Sequence, residues 1–488
     1  MSKQNDHNVL FDKNRLFDSS NSEGVRPICQ YSEERMGAAL TTPVKPSSAP
    51  ITFKSQGSTQ FTGGLPGYTV LDNVWYRNGT LYMIENGNDD LPNQDKLLTL
   101  APVGGDGIHT LTTVKIESHG PEGEITELDG TTIFCNDGWP GSWSGYFMYY
   151  HFASEVILGS YSVLSSVSNK PLPSEMKKPW NVYKGLGRRL DLHEQHYGND
   201  QISLGSSNDI VNKGSKADRI LVAWEWNWDG KDGLTRAVSQ GLVGEKGLLD
   251  PPKWKEITND NRWIYFERLL LTDRDTAHHN NRLSQKWYKM ALDTYKLVES
   301  PDQLQNFRET FLNHYKIPIV NRPKPGQSID GKKLKIIYTD RQGSQRKFPE
   351  EVHEELLTQM QNIEQSGKAH IIDAKLENIK LEDQFALFAD ADIIFGVHGN
   401  GLTHELWMPP GGVVIEIFPP QTFAYDYPPI SAVLGHEHII WRENQTFPSD
   451  LWEPENGGEG NRLHDGSPFP LNVPVFSEWL QKKIDEML

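Results

Sequence analysis

The stretch Leu381–Phe418 reads LEDQFALFADADIIFGVHGNGLTHELWMPPGGVVIEIF, and it decides the fold. An amphipathic segment, residues 381–388, leads into the apolar run Ile393–Val397, a glycine turn and a second apolar run, Val413–Phe418. This order predicts a helix, a strand, a turn, a short helix and a strand, the plan of a nucleotide-binding βαβ unit. Glycines let the backbone approach a phosphate, and the helix after them offers unpaired N–H groups. A tight turn that binds nothing shows the same pattern, so both interpretations stay open.

The neighbouring sequence continues this alternation of strands and helices. Leu334–Tyr338 and Ala369–Asp373 read as strands, and Glu350–Gln361 between them reads as a helix. Such alternation predicts a parallel, doubly wound sheet. Further upstream, short apolar runs predict strands between residues 69 and 132, at 220–224 and at 263–271, and helical spacing predicts helices at 147–164 and 283–315.

The loop Asn321–Gly326 is rich in proline and is the predicted domain boundary. Residues 1–60 are polar and rich in Ser, Thr, Pro and Asn, which predicts a disordered tail or stem. Residues 61–322 then form an N-terminal α/β domain. Residues 323–488 form a C-terminal Rossmann-like domain that ends in an amphipathic helix, Phe476–Met487.

Composition limits the possible classes of function. The chain has 488 residues, 36% of them apolar, with 14 Trp, 17 Tyr and 19 Phe, which is enough for more than one core. Its net charge of −17 argues against a nucleic-acid binder and against membrane attachment through basic patches. Two cysteines, Cys29 and Cys135, allow one disulfide but no zinc cluster, and we predict that both are free thiols.

Several short motifs resemble those of glycosyltransferase family 61. GVHGNGLTH at 396–404, MPPG at 408–411 and VIEI at 414–417 together resemble the family's signature. YHF at 150–152 with Glu155, FER at 266–268, and YTDR at 338–341 with Arg346 resemble its other motifs in their order along the chain. The resemblance covers residues 130–420 and is of the fungal type, related to the O-linked N-acetylglucosamine and xylosyl transferase group. Asn400 departs from the family, in which this position is usually small and apolar, so an altered donor preference is expected.

The resemblance implies a GT-B-like α/β fold, in which two Rossmann-like domains with parallel, doubly wound sheets face a cleft. The domain at 61–322 would hold the acceptor, and the domain at 323–488 would bind the nucleotide sugar. In folds of this kind the terminal helix, here Phe476–Met487, often crosses back to the first domain.

The resemblance also assigns a donor site. Arg341 and Arg346 follow the strand Leu334–Tyr338 at the edge where open α/β sheets bind ligands, and they would clamp a diphosphate through bidentate hydrogen bonds. Without the resemblance they read as solvated loop arginines. Glu416, a lone carboxylate in an apolar strand, either binds a ribose or base or pairs with a cation such as Arg442. His398 caps its strand, and His404 is expected to meet a phosphate oxygen. The predicted donor-binding residues are Arg341, Arg346, His398, Gly399, Asn400, Gly401, Leu402, Thr403, His404 and Glu416.

The inverting displacement that the resemblance implies needs a base for the acceptor hydroxyl. His151 is the predicted base, and Glu155, four residues further along the same helix face, either orients it or acts as the base itself. A histidine on an apolar helix can also be a satisfied core residue. Asp273 and Arg274, after the strand that ends near residue 271, are predicted to contact the acceptor.

We predict that no metal is required. Asp390-Ala391-Asp392 has the spacing of a metal-binding motif, but it precedes a strand, at the end of the sheet opposite to the expected ligand site. An esterase is excluded because the chain lacks a Gly-x-Ser-x-Gly nucleophile elbow.

The prediction is therefore an inverting, metal-independent glycosyltransferase that uses a nucleotide sugar, in particular a UDP-sugar, and a glycan or glycoprotein acceptor. The alternative is a degenerate member of the fold that binds a glycan or nucleotide without catalysis. The family works in the secretory lumen, in the Golgi or endoplasmic reticulum. This chain shows no signal peptide and no transmembrane segment, which leaves the cytosol open and makes membrane association depend on an anchor outside it.

Overall fold

Two β-sheets, each formed by its own half of the sequence, organise the described part of the chain. The computed structural model describes residues 57–85, 91, 113–118, 120–121, 124–136, 148–169, 216–224, 227–230, 233–322, 333–453, 463, 465–466 and 468–488. Nearly all of the predicted tail, Cys29 and residues 323–326 of the predicted boundary loop lie outside these residues, so the domain division stays a prediction.

The first sheet is mixed, with the strand order β4-β3-β2-β8-β5-β6-β7 and β1 paired to β2. Strand β2 runs antiparallel to β1, β3 and β8, whereas β5 runs parallel to β6 and β8. Its strands are β1 Gln60–Leu65, β2 Tyr68–Arg77, β3 Thr80–Ile84, β4 Thr113–Glu117, β5 Ile125–Cys135, β6 Arg219–Val222, β7 Leu248–Leu249 and β8 Trp263–Thr272.

A parallel, doubly wound sheet in this half is therefore a wrong prediction. The physical reason lies in two tight turns, because two-residue loops can join only antiparallel strands. Pro66-Gly67 joins β1 to β2, and Asn78-Gly79 joins β2 to β3 with positive φ at both residues, which is the geometry that Asn-Gly favours in hairpins.

The second sheet has the predicted parallel, doubly wound form. Its order is β10-β9-β11-β12-β13-β14, and only the short last strand is antiparallel. The chain starts in β9, adds β10 on one side and then β11 to β13 on the other, so the topology switches between β9 and β11. The strands are β9 Leu334–Asp340, β10 Ala369–Lys375, β11 Ile393–Val397, β12 Val413–Ile417, β13 Glu437–Arg442 and β14 Gln445–Thr446.

Helices flank both sheets, and several begin at a side chain that satisfies an unpaired N–H group. Asp250 accepts from Lys253 N at 3.2 Å, and Asp273 accepts from Thr276 N at 2.8 Å. The helices are α1, which is π-helical over Tyr150–Leu158 and continues over Gly159–Asn169, α2 Leu234–Gly247, α3 Pro251–Thr258, α4 Arg274–Asn280, α5 Arg282–Trp287, α6 Leu292–Tyr295, α7 Gln305–His314, α8 Glu350–Gln365, α9 Leu381–Phe388, α10 Pro428–Leu434 and α11 Val473–Met487. Short 3-10 turns lie at Pro301–Leu304, Leu376–Asn378, Asn400–Trp407 and Ser449–Leu451. Within the residues described, none of these helices is both long and apolar enough to span a bilayer.

Trp407 joins the two halves of the molecule. Its ring stacks on Phe311 of α7 with a centroid distance of 3.4 Å, and its indole N–H donates to Tyr149 Oη at 2.8 Å. Arg308, also on α7, donates to the carbonyl oxygens of Trp407 and Ala389, each at 2.8 Å. Helix α7 therefore packs against the second sheet's connections, although it lies in the sequence half that forms the first sheet.

The terminal helix α11 packs on the second sheet. Phe476 lies 5.6 Å from the ring of Phe395 in β11 and 5.2 Å from that of Trp441 in β13, and Lys368 pairs with Asp485. This position differs from the crossover to the first half that the resemblance implied, because the apolar face of the helix is buried against its own sheet.

Phe311→Ala should lower the free energy of unfolding by about 3–5 kcal/mol, because the substitution leaves a cavity beside Trp407 in a region where Phe311 is fully buried. Urea titration would measure the loss. Leu451→Ala is the matched control: Leu451 is 44% exposed, so a change within about 0.5 kcal/mol is expected. A loss below about 1 kcal/mol for the Phe311 variant would contradict the joining role of this contact.

Candidate active site

The topological switch of the second sheet brings two predicted motifs together. Arg341 follows the last residue of β9, and His398 follows the last residue of β11. The connections after these two strands leave in opposite directions, so a crevice forms between them at the carboxyl edge, which is where open α/β sheets bind ligands.

Glycine is required at two places beneath this crevice. Gly399 has φ 150° and ψ 177°, a conformation essentially confined to glycine, and a Cβ there would collide with the guanidinium of Arg341. A Cβ on Gly396 would collide with Thr339 Oγ1 in the neighbouring strand. The two glycines therefore let β9 and β11 lie close together and let Arg341 lie over the turn.

Two guanidinium groups border the glycine turn. Arg341 Nε donates to Ser344 Oγ at 3.3 Å, and within the described residues no carboxylate lies within 4 Å of this half-buried side chain. Burial and the nearby Arg346 both lower the pKa of Arg341. Arg346 donates from Nε to Leu463 O at 3.0 Å and from Nη1 to His398 O at 3.5 Å. An anion bound here would offset the repulsion between the two arginines.

Behind the turn, five buried side chains form a continuous hydrogen-bonded chain, called the buried chain, which runs through His398, Glu416, His438, Ser431 and Glu405. His398 Nδ1 lies 2.5 Å from Glu416 Oε1, and Glu416 Oε2 lies 3.0 Å from His438 Nε2. His438 Nδ1 lies 2.9 Å from Ser431 Oγ, whose hydroxyl donates to Glu405. Glu416 thus has imidazole partners rather than the predicted Arg442, and it is fully buried. The predicted contact with a ribose or base stays a prediction, but this geometry favours a role through His398.

The opposite wall of the site comes from the π-helical part of α1. Its position is fixed by two tyrosine hydroxyls: Tyr68 donates to Glu155 O at 2.5 Å, and Tyr295 donates to Ser154 O at 2.9 Å. π-Helical turns are rare and occur frequently at functional sites. The backbone here thus holds the predicted base and its carboxylate by long-range contacts.

His151 and Glu155 form a hydrogen-bonded pair, with Nδ1 and Oε2 2.6 Å apart. Glu155 also accepts from Met290 N at 2.9 Å, and Arg274 lies 3.6 Å away. Burial alone would raise the pKa of the Glu155 carboxyl, but His151, Arg274 and Lys289 outweigh it and hold this pKa below its usual range. Burial lowers the pKa of His151. The pair is therefore a neutral imidazole that donates its Nδ1 hydrogen to a carboxylate.

Lys289 and Asp426 connect the two walls, and the sequence reasoning missed both. Lys289 Nζ lies 2.5 Å from Asp426 Oδ1, and His398 Nε2 lies 3.5 Å from Asp426 Oδ2. Tyr150, next to His151, donates to Asp426 O at 3.3 Å. A sequence signal did exist, because a charged residue between two aromatic ones, as in Tyr425-Asp426-Tyr427, must find a partner when it is buried. His438, a histidine in an apolar strand, carried the same kind of signal.

The other predicted site residues differ in burial and in the contacts that they make. His404 is 1% exposed, stacks on Phe388 at 4.5 Å, and has a pKa lowered by burial to about 3, which favours a packing role over a phosphate contact. Leu402 and Thr403 are buried, whereas Asn400 is exposed and Gly401 half-buried. Asp273 caps helix α4, and its neighbour Arg274 joins the His151–Glu155 pair, so neither is placed primarily toward solvent.

The Asp390-x-Asp392 motif lies at the amino-terminal edge of β11. Asp390 pairs with Lys335, and Asp392 lies 3.1 Å from Arg322 and accepts from Lys335 N at 2.7 Å. In the part of the chain that the structure describes, no three His, Cys, Asp or Glu side chains form a group that could hold a metal ion.

Comparison with known proteins identifies the family of this chain. Residues 149–415 match the model of the family described as Glycosyltransferase 61, which is more than half of the chain. The chain therefore belongs to the Glycosyltransferase 61 family. The matched region contains His151, Arg341 and His398, whereas Glu416 and Asp426 lie just beyond its end at residue 415.

Three relatives illustrate the similarity at the level of single proteins. Each is named EGF domain-specific O-linked N-acetylglucosamine transferase. The Gallus gallus protein is 31% identical over 90 residues, 18% of this chain and 17% of the relative. The Canis lupus familiaris protein is 29% identical over 122 residues, 25% and 22% of the two chains. The Drosophila melanogaster protein is 27% identical over 183 residues, 37% and 32% of the two chains. In these matches the chain thus covers no more than a third of any of the three relatives.

Gly399→Ala should destabilise the protein by about 1–3 kcal/mol, because it combines a glycine-only backbone conformation with a collision at Arg341. Gly367→Ala is the matched control: Gly367 has φ 81° but nothing within 4 Å of an added Cβ, so only the backbone cost of about 1 kcal/mol remains. Urea unfolding of both variants gives the comparison. Equal losses would show that Arg341 does not lie over the turn.

Proposed function

We propose that this protein transfers a sugar from a nucleotide sugar to a hydroxyl group of a glycan or protein, with inversion at the anomeric carbon. The observation that carries this proposal is Arg341, a half-buried guanidinium without a carboxylate partner among the described residues, lying over a glycine turn at the switch point of the second sheet. A buried cation without an anion is costly, and the diphosphate of a nucleotide sugar would supply the missing charge.

The charges in the crevice support an anionic ligand. Arg274 and Lys289 face Glu155 and Asp426 respectively, so these two cations are matched within the protein. Arg341, which has no carboxylate within 4 Å among the described residues, would contact the diphosphate together with the neighbouring Arg346 and stabilise it as it leaves. Fixed arginines can do this without a metal ion, and we propose that transfer is metal-independent.

The base would be His151. Its Nδ1 hydrogen is donated to Glu155, which leaves Nε2 with the lone pair that accepts the acceptor's proton. In the proposed step the acceptor oxygen bonds to the anomeric carbon as its proton moves to His151. The bond from that carbon to the diphosphate breaks, and its electron pair leaves with the nucleotide.

The relatives guide the choice of substrates. Their name specifies transfer of N-acetylglucosamine in O-linkage to EGF domains, so UDP-N-acetylglucosamine and a hydroxyl-bearing polypeptide are the first pair to test. Asn400 is a reason to test other UDP-sugars beside it. We also propose that the protein works in the secretory lumen, as the family resemblance implies.

Arg341→Ala should raise the Kd for UDP about 10- to 100-fold, because hydrogen bonds to a charged group contribute about 1.5–3 kcal/mol. Calorimetric titration of UDP, with EDTA and again with Mn²⁺, measures the effect. Arg236→Ala is the matched control, since Arg236 is half-buried like Arg341 but pairs with Asp229 and Asp250 in the first half, and the UDP affinity of this variant should equal that of the wild type.

Each outcome of the titration bears on one part of the proposal. Wild-type binding that survives EDTA supports the arginine clamp, and binding seen only with Mn²⁺ would overturn the metal-free mechanism. Binding that Arg341→Ala leaves unchanged would remove Arg341 from the clamp. Binding of UDP without transfer of sugar from any UDP-sugar tested would favour the degenerate, non-catalytic alternative.

His151→Ala should lower kcat by about 100- to 10,000-fold and leave the Kd for UDP unchanged, because a base acts on the acceptor and not on the donor. In the wild type, the rate should fall as the pH falls through the pKa of His151, which burial places below its ordinary 6.5, since protonation removes the lone pair. His370→Ala, at an exposed histidine paired with Glu364, is the control. Retained turnover in His151→Ala would reject it as the base.

A further inference from the structure

The site contains two histidine–glutamate pairs that have similar geometry but different surroundings. His151 Nδ1 lies 2.6 Å from Glu155, and His398 Nδ1 lies 2.5 Å from Glu416. All four side chains are buried, and in each pair the distance is that of a hydrogen bond. What differs is the set of groups that face the second carboxyl oxygen and the charges just beyond it.

Glu155 is surrounded by donors. Besides His151, it accepts the N–H of Met290 at 2.9 Å and lies 3.6 Å from the guanidinium of Arg274. Neither of these donors can accept a proton in return. A carboxyl group in this setting is stabilised as an anion, because each of its hydrogen bonds is to the charged form.

Glu416 lies in a different environment. Its second oxygen faces the imidazole of His438 at 3.0 Å, and among the described residues no lysine or arginine nitrogen lies within 4 Å of its carboxyl group. Asp426 lies beyond His398 on one side, and Glu405 lies beyond His438 and Ser431 on the other. Burial, Asp426 and Glu405 all disfavour a negative charge on Glu416, and together they outweigh the attraction of the more distant Arg346 and Lys289, so the pKa of this carboxyl lies well above its usual range.

The positions of the hydrogen atoms in the buried chain also indicate that Glu416 carries a proton. Ser431 has one hydroxyl hydrogen and donates it to Glu405. Its oxygen then accepts from His438 Nδ1, which leaves His438 Nε2 with a lone pair, because burial keeps this imidazole neutral and lowers its pKa to about 3. The contact between His438 Nε2 and Glu416 therefore needs a hydrogen from Glu416.

We propose that Glu416 is an uncharged carboxylic acid that donates to His438, accepts from His398, and serves as the positioning residue for His398 in the reaction. The inference rests on the proposed sugar transfer, since His398 forms the start of the glycine turn and its Nε2 faces Asp426 between the two walls. By accepting the Nδ1 hydrogen, Glu416 fixes the tautomer and the ring plane of His398. The His398 carbonyl, which accepts from Arg346, is held in the same way. The two histidine–glutamate pairs thus carry opposite charge states: an anion at Glu155 and a neutral acid at Glu416.

A comparison of two amide substitutions tests this assignment. A glutamine side chain has one acceptor oxygen and one donor NH₂ group, so it reproduces the hydrogen bonds of a neutral acid but not those of an anion. Glu416→Gln, Glu416→Ala and Glu155→Gln would be prepared in the full chain. Each would be measured for melting temperature, for UDP affinity by calorimetry, and for kcat with UDP-N-acetylglucosamine.

The expected pattern is specific to the charge assignment. Glu416→Ala should lower kcat by about 10- to 100-fold and leave the UDP affinity within about twofold of that of the wild type. The expected loss of kcat is the one that metalloenzymes show when a histidine ligand loses its hydrogen-bond partner, and we apply it by analogy because His398 binds no metal in the proposed mechanism. Glu416→Gln should restore kcat to within about threefold and melt within about 1 °C of the wild type. Glu155→Gln should lower kcat by roughly 100-fold or more and the melting temperature by several degrees, because Arg274 loses its anion.

Contrary results separate this inference from the proposed function. A Glu416→Gln variant as impaired as Glu416→Ala would show that Glu416 is an anion. This would be the case if His438 Nε2 donated to Glu416 and Ser431 donated to His438. Weaker UDP binding in Glu416→Gln would instead indicate the ribose contact and overturn the positioning role. If the wild type neither binds UDP nor transfers sugar, the proposed function and the positioning role both fail. The melting temperatures of the two glutamine variants still decide the charge states.

Discussion

The close approach of Arg341 to Gly399 is the contact on which the candidate site depends. It requires three conditions that the fold supplies together: parallel strands β9 and β11 side by side, a glycine at position 396 that lets Thr339 pack against β11, and a backbone at Gly399 that only glycine adopts readily. If any of the three were lost, the guanidinium would move away from the switch point. The charge of Arg341, which has no carboxylate partner among the described residues, would then lie away from the ligand crevice. The position of this guanidinium therefore depends on the sheet topology as much as on the arginine itself.

The sequence predicts the second half of the chain better than the first, and the reason is the range of the interactions. Strands β9 to β12 alternate with helices at short spacing, so the parallel sheet and its ligand edge follow from local pattern. The first sheet depends on pairing between β2 and β8, almost 200 residues apart, and on the Asn78-Gly79 turn, whose hairpin signal outweighs the general α/β expectation. The His151–Glu155 contact was predictable because both residues share one helix. Lys289, Asp426 and His438 come from separate segments of the sequence, and a local sequence pattern does not predict contacts between such segments.

Burial explains why so many ionisable groups can occupy this region. Taking a charge out of water costs free energy unless a partner or a proton compensates it, and three forms of compensation occur side by side. Lys289 and Asp426 form an ion pair, and Glu155 accepts hydrogen bonds from N–H donors beside a guanidinium. Glu416, as proposed above, is protonated and forms hydrogen bonds to two imidazoles. Arg341 has none of these among the described residues, and this contrast within one crevice makes it the position most in need of an anionic ligand.

Sugar transfer from a nucleotide requires a base for the acceptor and a clamp for the leaving group within one geometry, and the proposed base and clamp come from different halves of this chain. The connection between them is not one contact but several of different kinds. Trp407 packs between Tyr149 and helix α7, Tyr150 donates to the backbone of Asp426, and Lys289 pairs with the Asp426 side chain. Packing fixes distance, whereas the polar contacts fix orientation, because hydrogen bonds depend on angle as well as on length. Asp426 lies near His398 and also near Tyr150, which precedes His151 in the chain. A shift of either wall would therefore change the positions of both His151 and His398. The geometry therefore couples the wall that carries His151 to the wall that carries His398 through Asp426.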